Sequence, residues 1–67
     1  MLSEVNEGES YLSGSGIKFK VLHLAKHAQD CSIPMVVFSN LEPTKDYGVG
    51  SIWVIEESLF MKKFSEM

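Results

Sequence analysis

Phe19-Lys20-Val21-Leu22-His23-Leu24-Ala25-Lys26-His27 is the stretch on which the fold turns. Read with a period of two, Ile17, Phe19, Val21, His23 and Ala25 share a face and Lys18, Lys20 and Lys26 stand opposite. Leu22 and Leu24 break that alternation. Read with a period of 3.6, Ile17, Val21, Leu24, Ala28 and Cys31 form a helical stripe. The opening Ile17-Lys18-Phe19-Lys20-Val21 favours a strand, because β-branched and aromatic side chains fit a pleated, half-buried surface. The later Leu24 to Gln29 carries helix formers. We read the stretch as a strand that bends or bulges near Leu22.

Outward from it, toward the N-terminus, Ser13-Gly14-Ser15-Gly16 marks a turn, since glycine reaches positive φ without a Cβ penalty. Tyr11-Leu12 before it is short and apolar. Residues 1–10, with Glu4, Glu7 and Glu9, read as a flexible acidic arm, leaving 11–67 as one small β domain. Toward the C-terminus, Gln29 to Ser32 reads as a turn and Pro34 as the first residue of a strand, where no ladder donor is needed. Met35-Val36-Val37-Phe38-Ser39 is apolar on both faces, which predicts a central strand or one covered by an oligomer contact. Asn40 to Gly50 is a loop punctuated by Pro43, Asp46, Gly48 and Gly50. Ser51 to Ile55 reads as a further strand. Glu56 to Phe64 reads as a short helix or turn, its glutamates first and its lysines last, the order a helix dipole favours.

Size and composition narrow the classes. A domain of 67 residues buries only about 60% of the surface its unfolded chain exposes, so its stability is thin. Hydrophobic residues make up 45% of the chain, more than so small an interior hides, and this predicts a homo-oligomer or another apolar contact. The single cysteine, Cys31, excludes an intramolecular disulfide and fits a reducing cytoplasm. No basic, apolar leader and no run of about 18 apolar residues argues for secretion or a membrane span. A net charge of −3 and the absence of arginine count against nucleic acid and against bidentate phosphate recognition.

The order and spacing of several motifs resemble a bacterial family known as domain of unknown function 1653. They are Phe19-Lys20-Val21-Leu22-His23-Leu24-Ala25-Lys26-His27, Met35-Val36-Val37-Phe38, Trp53-Val54 and Leu59-Phe60. The resemblance runs over roughly 11–60; this chain has Ala28-Gln29-Asp30 where the family reads Ser-Glu-Thr, and Ile55-Glu56 where it reads Arg-Pro. It implies a small, mainly β fold, an SH3-like roll or partly open barrel of three to five short strands with a short C-terminal helix or turn. It implies no established activity.

No set of residues supports catalysis or a cofactor. His23-x₃-His27-x₃-Cys31 would line one face of a helix as a zinc set, but on a strand the two histidines stand about 13 Å apart. Cys31 near His27 lacks a polar orienter, so no nucleophilic dyad is read there. Asp46-Tyr47-Gly48-Val49-Gly50 lacks the third glycine and the βαβ context of a phosphate cradle, and a hairpin loop is its simplest reading. The residues chosen for a binding site are His27 as donor and acceptor, Trp53 as a flat apolar face with one N–H, Tyr47 on its loop, and Lys20 and Lys26 for charge. Against this, Trp53 could equally be the core centrepiece of a small barrel. Three functions follow: a non-enzymatic module sequestering a ring-containing, nucleotide-like ligand; a phage- or bacteria-encoded inhibitor or adaptor acting by protein–protein contact; or an RNA-associated SH3-like module.

Overall fold

In the computed structural model, which describes residues 2–67, the chain forms β1 (Ser10–Ser13), β2 (Lys18–Lys26), β3 (Pro34–Asn40), β4 (Ile52–Glu56), α1 (Glu57–Lys63) and β5 (Phe64–Glu66). The five strands make one open antiparallel sheet in the order β4-β3-β2-β1-β5. The last strand returns beside the first, with Leu12 opposite Ser65, and β4 and β5 are the edges of the sheet. This is the mainly β fold of three to five short strands expected from the sequence, with the short helix set between the last two strands.

The ambiguous stretch is strand, and its irregularity has a cause. Val21 pairs with Phe38 and His23 with Val37, so Leu22 is the extra residue of a β-bulge. A one-residue insertion switches which residues face the interior. Phe19 and Val21 face the core before the bulge; beyond it, Leu24 is the residue opposite buried Val36. The leucines that broke the period-two pattern therefore mark the bulge. Pro34 does open β3, and Val36 and Phe38 of that central strand are buried.

The core is aromatic. Phe60 from α1 lies against Tyr11, Phe38 and Phe64 at ring separations of 5.7, 5.1 and 4.0 Å, the last pair stacked and the others edge-on. Phe19 completes the cluster through edge-on contacts with Phe38 and Phe64. At 7 residues α1 is too short to persist alone, and no side chain caps its N-terminus. Burial of Phe60 holds it in place, with Glu57 in its first turn and Lys62 and Lys63 in its last. The Leu59-Phe60-Met61…Phe64 cluster thus splits: Phe60 and Phe64 are core, while Leu59 is exposed.

Residues 2–10 correct the expectation of a flexible acidic arm. Leu2 and Val5 are buried in the core cluster, and Leu2 N donates to Met61 O at 2.9 Å. The segment then runs along β2 where β1 stops: Val21 N donates to Glu9 O and Gly8 N to Val21 O, each at 2.9 Å. Just past the bulge, the Glu7 carboxylate accepts a 2.8 Å hydrogen bond from Leu24 N. The acidic residues disguised two apolar anchors, and the β2 backbone beyond Lys20, which β1 does not reach, finds its partners in this segment. Among the described residues, no helix is long and apolar enough to cross a membrane.

Candidate functional site

The loop between β3 and β4 is organised around one buried polar side chain. Asn40, at the end of β3, is fully buried. Its Nδ2 donates to Glu42 O at 2.9 Å and to Gly48 O at 2.8 Å, and its Oδ1 accepts from Trp53 Nε1 at 3.2 Å. Gly50 N donates to Asn40 O at 3.0 Å, closing the loop at its far end. A primary amide with two donors and an acceptor suits this task, and among the described residues no buried side-chain polar atom is left unpaired. The tip is fixed separately: Thr44 N donates to Tyr47 O and Tyr47 N to Thr44 Oγ1, each at 2.9 Å.

These bonds present Tyr47 to solvent with a fixed neighbour. Its ring is 57% exposed yet meets the half-buried Trp53 indole edge-on, at 5.2 Å and 88°. Across from the loop, the 13–17 turn is tied by Ser13 N to Ile17 O at 2.9 Å and Ile17 N to Ser13 Oγ at 3.1 Å. Between turn and loop lies an open groove of about 550 Å³. Ile17, Phe19, Phe64 and Trp53 give it an apolar lining, while Lys45 and Asp46 bring charge to its rim. Its lining is mostly apolar, with a few polar groups at its border.

The structure brings Trp53 and Tyr47 together and separates the other three chosen residues from them. Trp53 shares a cross-strand row with Phe38 and Val21 on the core side of the sheet. Lys20 lies in the next row, opposite Ser39 and Ile52, and so on the outer face. Lys26 and His27 sit at the β2–β3 hairpin, five to six residues beyond Val21, about 15–20 Å along the strand at roughly 3.3 Å per residue. His27 serves that hairpin: its N–H donates to Ile33 O at 3.1 Å and its Nδ1 accepts from Gln29 N at 3.1 Å. A single site holding all five residues is therefore ruled out by register alone.

Trp53 is also not the core centrepiece. Its ring packs on the edge of the aromatic cluster, whose centre is Phe60. The hairpin end carries a second groove of about 560 Å³, lined by Leu24, Ala25, Lys26, Cys31, Ser32 and Pro34. It has no aromatic wall, so nothing there stacks on a ring. Asp30, in the same hairpin, is held below the usual carboxylate range by hydrogen bonds from the Ser32 hydroxyl at 2.6 Å and the Ser32 amide at 3.1 Å. That pattern is a hairpin turn fastening itself. Among the described residues, no group of three or more His, Cys, Asp or Glu is placed to hold a metal ion.

Sequence reasoning missed Asn40, Phe19, Phe64 and Thr44 as parts of the site. Phe64 could not be placed, because β5 is three residues long and carries no period of its own. Asn40 was legible only as loop punctuation. No family model, curated protein or solved structure matches the chain.

Proposed function

We propose that the protein is a non-enzymatic binding module that captures a small, planar, ring-containing ligand in the groove between the 13–17 turn and the 44–47 loop. The carrying observation is the exposed Tyr47 ring held at 5.2 Å from Trp53 above an apolar floor. An exposed aromatic braced by its own loop costs little entropy to engage, and two rings at right angles offer a ligand both a face and an edge. Lys45 on the rim is the cation best placed to meet an acidic substituent, such as the phosphate of a nucleotide-like ligand. On this reading capture itself is the function, and the protein acts by sequestering what it binds.

Thermal melting against a panel of nucleosides, nucleotides and simple aromatic compounds tests this. A ligand present at 100 times its Kd adds about 2.7 kcal/mol of stability. For a domain of this size that raises Tm by roughly 10 °C or more. Tyr47→Ala is expected to leave the unliganded Tm within a few degrees and weaken binding about 3- to 10-fold, the loss of one aromatic contact. A panel in which no compound moves Tm overturns the proposal.

A further inference from the structure

The two edges of the sheet are not alike. β5 is three residues long, ends in Glu66 and follows directly from α1, features that discourage strand addition. β4 is five residues long, with no proline, glycine, lysine or bulge to blunt it. Among the described residues, no backbone hydrogen bond reaches it from its outer side. On its outer face Ile52 is 62% exposed and Val54 60% exposed, beside half-buried Val37 and Met35 of β3.

We infer that β4 pairs antiparallel with β4 of a second copy, about a twofold axis at Val54, joining two five-stranded sheets into one of ten strands. This rests on the edge alone and is independent of the ligand reading. With the axis at Val54, Ile52 lies opposite Glu56 of the second copy, Trp53 opposite Ile55, and Val54 opposite Val54. All five residues of the strand are used. Because every pair joins residues of the same parity, core-facing positions meet core-facing ones and outer meets outer. Val37 and Val54 of both copies then form one unbroken apolar strip across the junction.

Charge fits the same axis. The row Lys20–Ser39–Ile52 lies on the outer face, and Glu56 stands on that face at the other end of β4. The twofold places Glu56 of each copy at the end of that row in the other copy. Lys20 then stands about 14 Å from that carboxylate at roughly 4.8 Å per strand, too far to pair with it, so what the axis offers is the absence of a like-charge clash. The two Glu56 residues lie at opposite ends of the junction and do not meet. An isologous contact of this kind closes at two copies, whereas joining β4 to β5 would leave each added copy with another open edge.

Light scattering and sedimentation of the intact protein read this directly. The wild type is expected at twice its 7.5 kDa chain mass at about 100 μM, and Val54→Lys at the single-chain mass with an unchanged circular dichroism spectrum. Register is read by a Cys31→Ser, Val54→Cys variant, since directly opposed Cβ atoms lie about 4.5–5.5 Å apart and oxidation can bridge them. It is expected to form a covalent dimer within the time that a Cys31→Ser, Thr44→Cys control stays monomeric. A wild-type protein that is monomeric at millimolar concentration overturns the inference. So does a dimer that survives Val54→Lys while the Val54→Cys variant fails to cross-link.

Discussion

Phe60→Ala is expected to unfold the domain or leave it on the edge of unfolding at 25 °C. Phe60 is fully buried and meets Tyr11, Phe38 and Phe64 from α1, the one helix among the described residues. Truncating a buried phenylalanine costs about 3–5 kcal/mol, through lost transfer energy and the cavity left behind. A chain of this length has a total stability of roughly 3–10 kcal/mol at 0.05–0.15 kcal/mol per residue. The loss therefore rivals the whole. Its effect also spreads: without Phe60, α1 loses its one fully buried side chain, and β5, which follows α1 without a gap, is less firmly placed beside β1. Urea unfolding followed by far-ultraviolet circular dichroism measures this. Leu59→Ala, next along the helix but exposed, is the control and should cost under about 1 kcal/mol. A Phe60→Ala variant within about 1 kcal/mol of wild type contradicts the aromatic core described above.

Asn40→Ala should cost about 1–3 kcal/mol and, unlike Phe60→Ala, should act mainly on one loop. The substitution removes both donors that hold Glu42 O and Gly48 O, and the acceptor for Trp53 Nε1. Glu42 and Gly48 are exposed, so water can replace Asn40 at their carbonyls; the half-buried indole N–H is the costlier loss. The Gly50 N to Asn40 O bond uses only backbone and survives, so the loop stays attached at its end while its middle loosens. Hydrogen exchange is the sensitive probe. Protection at the Tyr47 and Thr44 amides is expected to fall, while Val21 and Leu24 amides, bonded to the leading segment and not to the loop, keep theirs relative to global stability. Uniform loss of protection across the sheet would show that Asn40 is merely another core residue.

The two variants mark where the sequence is readable and where it is not. Strand identity at Phe19 to Lys26 was legible from the β-branched and aromatic residues of Ile17 to Val21, not from periodicity, which Leu22 and Leu24 disturbed, a disturbance the bulge explains. β3 was legible because Val36 and Phe38 lie among other apolar residues behind a proline that can only begin a strand. The seating of residues 2–10 was not, since Leu2 and Val5 are isolated among glutamates and their burial depends on the core cluster and α1, which only the folded chain assembles. For the site, Tyr47 and Trp53 were identifiable as aromatic residues flanking a glycine-rich loop. His27 and Lys26 were assigned to them because sequence order cannot show at which end of a strand a groove lies. Register decides that: Trp53 pairs with Phe38, and Lys26 with Pro34, at the other end of the same strand.

On the proposed function, a ring-bearing ligand enters the groove walled by Trp53 and Tyr47. Trp53 is the single tryptophan of the chain, so its fluorescence reports on that wall without labelling. In a titration with a compound that raises Tm, the emission of Trp53 is predicted to change saturably, at the concentration that gives half-maximal stabilisation. Tyr47→Ala is predicted to shift the curve to higher concentration, while His27→Ala and Lys20→Ala superimpose on wild type. Stabilisation that leaves Trp53 emission unchanged, or binding lost in His27→Ala and kept in Tyr47→Ala, would contradict the account.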